Sequence, residues 1–123
     1  MFGMRFTVIF SHPGKVPQEC LQWATRSQQL AKQLKQYNSD IMCLEEVEEG
    51  HFKDFLIPLF PGYHGSHAPK KLSPCTKVAE NDGPDGVAVF FRMSRFTLKE
   101  SVQRYLTEEN GEEGMNLPCF LFI

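Results

Sequence analysis

In the stretch from Tyr37 to Val47, YNSDIMCLEEV, a turn, an apolar run and an acidic cluster follow one another, and the prediction of the fold begins from this order. The polar residues 38–40 end the segment that precedes it. The run Ile41–Leu44 is apolar at every position, which predicts a strand that is buried on both faces. Four carboxylates follow within residues 45–49, EEVEE. From the pattern alone, these acids indicate a solvated turn leading into a helix, because acidic side chains suit the N-terminal end of the helix dipole.

The segment before this stretch has the pattern of a long helix over residues 17–37. An apolar stripe recurs there on one helical face; its members are Trp23, Leu30, Leu34 and Tyr37. Glutamine, lysine, alanine and leucine fill many of the positions between them, and all four favour helix. We expect Trp23 to pack in the core from this face. Residues 5–10, RFTVIF, are aromatic and β-branched, and they predict an earlier strand.

The segment after the stretch predicts one helix, further strands and a long loop. In chain order these are a helical face over residues 52–60, a short strand over 63–67, a loop over 68–85, a buried strand over 87–91 and a strand over 96–106. Pro61 and Gly62 end the helical face. The short connection after the buried strand predicts that the last two strands form a hairpin. His64 and His67 are expected at the surface.

The order strand, helix, strand, helix and hairpin predicts a layered fold of the α/β or α+β class. A chain of 123 residues suits one compact domain. We place an N-terminal strand and turn at residues 1–15, a folded domain at 16–106, and an acidic linker with an apolar tail at 107–123. The two end segments are divergent in that they lie outside the family resemblance described below.

Charge and composition argue against several classes of protein. The chain has 13 basic and 15 acidic residues and a formal net charge of -2, so no overall positive charge drives nucleic-acid binding. No apolar run approaches the roughly 20 residues that a membrane-spanning helix needs, so we expect no membrane partner. The four cysteines are widely spaced, which favours reduced thiols. We expect a cytoplasmic location, with a mitochondrial one as the alternative.

Residues 37–47 resemble the first metal-binding motif of the endonuclease/exonuclease/phosphatase superfamily, with Glu45 in place of the usual glutamine. Two later motifs, SPC at residues 73–75 and NDGPDG at 81–86, resemble a relative of the superfamily's carbon-catabolite-repressor-type deadenylases and separate the chain from the deadenylases themselves. The resemblance covers about residues 16–106. It implies that the chain forms an incomplete first half of the four-layer α/β sandwich of this superfamily.

The same resemblance implies a metal ligand and a phosphate contact. The counterpart of Glu46 binds the metal in this family, and a carboxylate on a rigid strand suits Mg²⁺, which prefers oxygen ligands. Glu46 is therefore the expected catalytic and metal-binding residue, with Mg²⁺ as the expected cofactor. Lys70 matches a Pro-Lys motif of the family and is expected to contact a substrate phosphate as a point charge. Asp85 and Gly86 are expected to shape a tight turn, without a ligand role.

For function, the resemblance implies a Mg²⁺-dependent phosphoric-ester hydrolase that removes the 2′-phosphate of NADP(H). A poly(A)-specific 3′-to-5′ exoribonuclease, acting on an RNA 3′ end, is the alternative within the superfamily. The family's Thr-His-Leu, Gly-Asp-Phe-Asn and closing Asp-His motifs do not occur in these 123 residues, so we expect a catalytically incomplete form. A non-catalytic isoform that binds a protein partner is a third hypothesis. An incomplete sandwich is also expected to leave Val89, Phe90 and the tail at residues 117–123 uncovered.

Overall fold

The computed structural model describes residues 22–106 and 117–122 of the 123-residue chain. The predicted strand over residues 5–10 and the acidic residues 107–116 lie outside the described residues. The described residues divide into two compact units, one that ends at Ser39 and one that begins at Asp40. Within the described ranges, no helix is long and apolar enough to cross a membrane.

The first unit contains helix α1, Trp23–Tyr37, which confirms the predicted helix over its described part. Asn38 follows it in the left-handed conformation with φ 47°, which asparagine tolerates better than most residues. Leu34 is buried, as the apolar stripe predicts, but Trp23 is 36% exposed. The expectation that Trp23 packs in the core is therefore wrong, because the residue begins the helix and its neighbours there are exposed as well.

The second unit is built on a three-stranded antiparallel sheet. Its strands are β1 (Ile41–Glu48), β2 (Tyr63–Pro69) and β3 (Asp85–Arg92), in the order β1-β3-β2. The two apolar runs of the sequence are neighbours in it, with Ile41 opposite Phe91. Because β3 is central, both of its edges are hydrogen-bonded, and most of its residues are buried. All three predicted strands are confirmed, and each is longer than predicted.

A continuous helical segment, α2, connects β1 to β2. It comprises an α-helical turn at Glu49–His51, a π-helical turn at Phe52–Leu56 and an α-helical turn at Ile57–Leu59. Pro58 has no backbone N–H to donate to the preceding turn, and the wider π turn keeps the chain helical there. The predicted helical face over residues 52–60 is confirmed. The predicted turn at residues 45–49 is wrong, because β1 continues to Glu48 and α2 begins directly after it.

Phe90 of β3 is the centre of the core between α2 and the sheet. Its side chain is fully buried, and its ring centroid lies 5.6 Å from that of Phe52 and 5.8 Å from that of Phe60. Gly65 of β2 leaves room for the ring, since a Cβ at that position would lie 2.6 Å from the Cε1 atom of Phe90. The expectation that Phe90 and Val89 are uncovered is wrong, because α2 covers Phe90, and Val89 is only 5% exposed.

The face of the sheet away from α2 is more open. Ile41 is 52% exposed, and Cys43 is an exposed free thiol. A groove of about 360 Å³ opens on this side between Ile41, Val89, Phe91 and residues 96–100. The expectation that β1 is buried on both faces is therefore wrong, because α2 covers one face only.

The predicted hairpin between the strand at 87–91 and the strand at 96–106 is also wrong. Strand β4 (Ser101–Leu106) pairs instead with β5 (Leu117–Phe122) in a separate antiparallel sheet. The reason is that β1 and β2 already occupy both edges of β3. The turn after β3 also leads the chain away, since the backbone N–H of Met93 donates to the Gly62 carbonyl oxygen over 3.1 Å.

Candidate active site

The two residues that the sequence predicts for the site, Glu46 and Lys70, lie at the same end of the sheet. The register places Val47 of β1 and Pro69 of β2 on either side of Gly86 of β3. Glu46 directly precedes Val47, and Lys70 directly follows Pro69. Two interstrand spacings amount to about 10 Å, so the two backbones flank the start of β3 at about this separation.

A β-bulge carries Glu46. Leu44 pairs with Ala88 and Val47 pairs with Gly86, so β1 has one residue more than β3 in this interval. Glu46 has a left-handed backbone with φ 57°. Such a conformation is unfavourable for a residue with a Cβ, and bulges and strained residues of this kind are concentrated next to active sites, where they redirect a side chain. The Glu46 side chain is exposed and makes no hydrogen bond or ion pair within the described part of the chain.

Replacing Glu46 by glycine is expected to stabilise the fold by about 0.5–1 kcal/mol. The left-handed strain that is removed, about 1–2 kcal/mol, exceeds the entropic cost of a glycine, about 0.5–1 kcal/mol. Urea unfolding measures the difference. Glu45→Gly is the matched control, because Glu45 is a neighbouring exposed acid without positive φ, and we expect it to lose stability. Equal losses in both variants would contradict the strained bulge.

Lys70 forms an ion pair with Asp85, the first residue of β3. Its Nζ donates to Oδ2 of Asp85, and its backbone N–H donates to the Asp85 carbonyl oxygen over 2.9 Å. The two side chains are 16% and 7% exposed. Ser73 donates its hydroxyl to Oδ1 of the same carboxylate, and its Oγ accepts from the Asp85 backbone N–H over 3.1 Å. Both oxygens of this buried carboxylate therefore have a donor.

These contacts keep Asp85 ionised. Burial raises the pKa of its carboxyl group, but the hydrogen bonds from Lys70 and Ser73 and the charge of Lys70 together hold the pKa below its ordinary value. Gly86 permits the close approach of the two strands, because a Cβ there would lie 2.1 Å from the carbonyl oxygen of Ala68. The expectation of a tight turn at Asp85 and Gly86 is wrong, since both residues lie within β3.

The loop before β3 and a histidine from β2 hold the chain after the bulge. The backbone N–H of Asp82 donates to Oε2 of Glu48 over 2.6 Å, and the N–H of Gly50 donates to the carbonyl oxygen of Asp82 over 2.8 Å. The Nε2 atom of His67 donates to the carbonyl oxygen of Val47 over 2.9 Å. The residues that follow Glu46 are therefore fixed by contacts with two other segments, which stabilise the bulge against a slip in register.

Neither of the two histidines of β2 is a surface group, which corrects that expectation. The ring of His67 stacks on Phe52 at a centroid distance of 5.1 Å, and the ring of His64 stacks on Phe91 at 4.9 Å. Both side chains are half-buried. They face opposite sides of the sheet, because their partners belong to α2 and to the open face respectively.

Glu46 fits the role of a magnesium ligand. Mg²⁺ keeps several waters and is commonly held by one or two carboxylates together with substrate phosphates. The Glu46 carboxylate is exposed and makes no hydrogen bond or ion pair with another described residue. Over residues 22–106 and 117–122, no group of three or more histidine, cysteine, aspartate or glutamate side chains is arranged to hold a metal. The described residues would thus contribute fewer than three clustered ligands, and Glu46 is the candidate among them.

Asp85 is the residue that the sequence interpretation missed. In the sequence it belongs to a run of turn-forming residues, NDGPDG, and this composition indicates a loop. Its position next to the apolar run at residues 87–91 could have indicated a structural role, because a carboxylate at the start of a buried strand needs hydrogen-bond partners. Lys70 and Ser73 supply them, but only the pairing of β2 with β3 brings them close.

Residues 19–121 match the family model described as Endonuclease/Exonuclease/phosphatase family. This match covers most of the chain, and the chain therefore belongs to that family. The sheet with its covering helical segment is part of the family's α/β fold, as the sequence predicted.

Within the family, the chain is similar to nocturnins. Nocturnin of Rattus norvegicus is 43% identical over 93 residues, which are 74% of this chain and 21% of that protein. The solved structure of the human Nocturnin catalytic domain with bound sulfate anion matches with a TM-score of 0.66 at 41% identity, over 72% of this chain and 33% of that one. The CCR4-Not complex 3′-5′-exoribonuclease subunit Ccr4 of Schizosaccharomyces pombe is 33% identical over 72% of this chain and 13% of that protein. The chain thus spans a minor part of each relative, and its resemblance to a relative of the carbon-catabolite-repressor-type deadenylases is confirmed.

Proposed function

We propose that this chain supplies the metal-binding and phosphate-contacting end of a nocturnin-like, Mg²⁺-dependent phosphoric-ester hydrolase. The observation that carries the proposal is the location of Glu46 and Lys70 on either side of the start of β3, within a segment that belongs to the family. The sulfate bound in the human Nocturnin catalytic domain supports it, because sulfate has the shape and charge of a phosphate group.

Each residue has a distinct task in this proposal. Glu46 holds Mg²⁺, which when bound neutralises phosphate charge and activates a water. Lys70 donates to a phosphate oxygen, since its ammonium group has three donors and Asp85 takes one of them. The strained bulge fixes the Glu46 backbone before Mg²⁺ binds, so less conformational entropy is lost on binding.

We propose the 2′-phosphate of NADP(H) as the substrate group. Nocturnin of Rattus norvegicus is more similar to this chain than Ccr4 of Schizosaccharomyces pombe is, at 43% against 33% identity. The net charge of -2 also favours a small ligand over a long polyanion, which needs an extended basic groove. Poly(A) RNA remains the alternative substrate of the same site.

Replacing Glu46 by glutamine is expected to weaken Mg²⁺ binding at least about tenfold, because the amide keeps the shape but loses the charge that a hard cation prefers. Isothermal titration of the 123-residue chain with MgCl₂ measures this. Glu45→Gln is the matched control, since it removes the same charge from the adjacent exposed residue. Equal affinities in the wild type and Glu46→Gln would overturn the assignment of the metal ligand.

A second titration tests the substrate by comparing NADP with NAD, which differ only in the 2′-phosphate. We expect Mg²⁺-dependent binding of NADP in clear preference to NAD, and phosphate release where the chain turns over. Preference for an oligo(A) RNA would support the exoribonuclease instead. Failure to bind either ligand, in a chain that unfolds cooperatively, would overturn the hydrolase site and support the non-catalytic isoform.

A further inference from the structure

The buried carboxylate of Asp85 has no assigned role, yet it makes more polar contacts than either predicted site residue. We propose that Asp85 is a positioning residue, which holds the ammonium group of Lys70 in the orientation that receives a phosphate. This inference rests on the proposed function, because it takes Lys70 as the phosphate contact. It adds a residue and a hydrogen-bond network to that site.

The network fixes Lys70 through its backbone and its side chain at once. The Lys70 backbone N–H donates to the Asp85 carbonyl oxygen over 2.9 Å, while Nζ donates to the Asp85 carboxylate. The carboxylate is itself oriented by Ser73, whose hydroxyl donates to its second oxygen. Ser73 is held in turn, because its Oγ accepts from the backbone N–H groups of Asp85 and Cys75 over 3.1 and 3.2 Å.

Burial makes this arrangement specific. Ser73 is 3% exposed and Asp85 is 5% exposed as whole residues, so water does not compete strongly for their bonds. The Lys70 side chain keeps 16% exposure, which leaves part of it within reach of a ligand. A free lysine would lose the freedom of a four-carbon stem when it binds phosphate, and a lysine already held by Asp85 loses less.

A competing account gives Asp85 the opposite effect. As a negative charge beside Lys70, it would repel a phosphate and mask the ammonium group, so its removal would tighten phosphate binding. Positioning and masking therefore predict opposite signs when the charge of Asp85 is removed while its shape is kept. The Asp85→Asn variant makes that change.

The test compares NADP and NAD binding by isothermal titration in the full chain with Mg²⁺. We expect Asp85→Asn to weaken NADP binding about fivefold to tenfold and to leave NAD binding within about twofold, because only NADP carries the 2′-phosphate. Ser73→Ala, which changes no charge, is expected to weaken NADP binding about twofold to threefold through the loosened carboxylate. Glu80→Gln is the matched control, since it removes a carboxylate charge from an exposed residue of the neighbouring loop and should change neither affinity.

Each remaining outcome decides the matter. Unchanged or tighter NADP binding in Asp85→Asn overturns the positioning role, and so does an equal loss for NADP and NAD, which marks a structural role alone. If Asp85→Asn does not fold, the NADP-to-NAD ratio of Ser73→Ala decides in its place. Lys70→Gln separates the two proposals. If this variant binds NADP as the wild type does, Lys70 does not contact the phosphate and the proposed function is wrong at that point. If Lys70→Gln loses NADP affinity but Asp85→Asn does not, only the role of Asp85 is rejected.

Discussion

Replacing Gly86 by alanine is expected to lower the free energy of unfolding by about 3 kcal/mol, the upper end for an inserted methyl group in a packed site. A Cβ at this position would lie 2.1 Å from the carbonyl oxygen of Ala68 and 2.7 Å from the Cα atom of Pro69. Both are backbone atoms of β2, so no side-chain rotation relieves the overlap. The two strands must move apart, and this movement breaks the hydrogen bond from the Lys70 backbone N–H to the Asp85 carbonyl oxygen.

Urea unfolding followed by circular dichroism measures this loss. Gly62→Ala is the matched control, because a Cβ at Gly62 meets no atom within 4 Å and should change stability by less than about 0.5 kcal/mol. A loss below about 1 kcal/mol in Gly86→Ala would show that β2 and β3 yield locally without disturbing the sheet.

The sequence is informative where local pattern and final environment agree. The runs at 41–44 and 87–91 are apolar at every position, the second is mostly β-branched or aromatic, and both become strands next to the core. The helical pattern of residues 23–37 likewise becomes α1, because several turns of good helix formers need no distant partner to be recognised.

The pairing of strands is not encoded in the same local way. Residues 96–106 follow β3 closely, and proximity predicts a hairpin, but β5 provides the partner of β4 from beyond residue 116. Whether a neighbouring strand can pair depends on whether the edges of β3 are free, and both are taken by β1 and β2. Those contacts join residues far apart in the chain, which short-range patterns do not record.

The site shows the same division. The motif resemblance located Glu46 and Lys70, and the register of the sheet brings them to one end of it. The left-handed conformation of Glu46 has no signal in composition, since glutamate is not a residue that favours positive φ. The role of Asp85 could not be predicted from its local sequence. That sequence is typical of a turn, whereas in the structure Asp85 is a buried residue of β3 whose side-chain partners belong to other segments.

Replacing Lys70 by methionine is expected to lower the free energy of unfolding by about 3 kcal/mol at neutral pH. Methionine fills the volume of the lysine stem but leaves the Asp85 carboxylate buried without the positive charge beside it. The hydrogen bonds from Ser73 and Cys75 remain, but an uncompensated buried charge is strongly destabilising. The double variant Lys70→Met with Asp85→Asn removes both charges and is expected to recover about half of the loss or more. Urea unfolding of the four proteins in this double-mutant cycle gives the coupling free energy.

The loss in Lys70→Met should also depend on pH. In the wild type, the pKa of Asp85 lies below its unfolded value of about 3.9, so its stabilising contribution is present above that value and is lost as the pH falls through the folded pKa. Without Lys70, burial raises the pKa above the unfolded value, and the variant recovers stability as protonation removes the buried charge. The stability difference between the two proteins should therefore shrink from pH 7 towards about pH 4.

Unfolding measured at intervals across this pH range checks the trend. Lys77→Met is the matched control, because Lys77 is an exposed lysine of the same loop. The titrations of all other groups are common to the proteins and cancel in the difference. We expect a small and nearly constant difference for Lys77→Met. A large difference for Lys70→Met that does not change with pH would assign the loss to packing of the lysine stem, and the ionised Asp85 would then have no part in it.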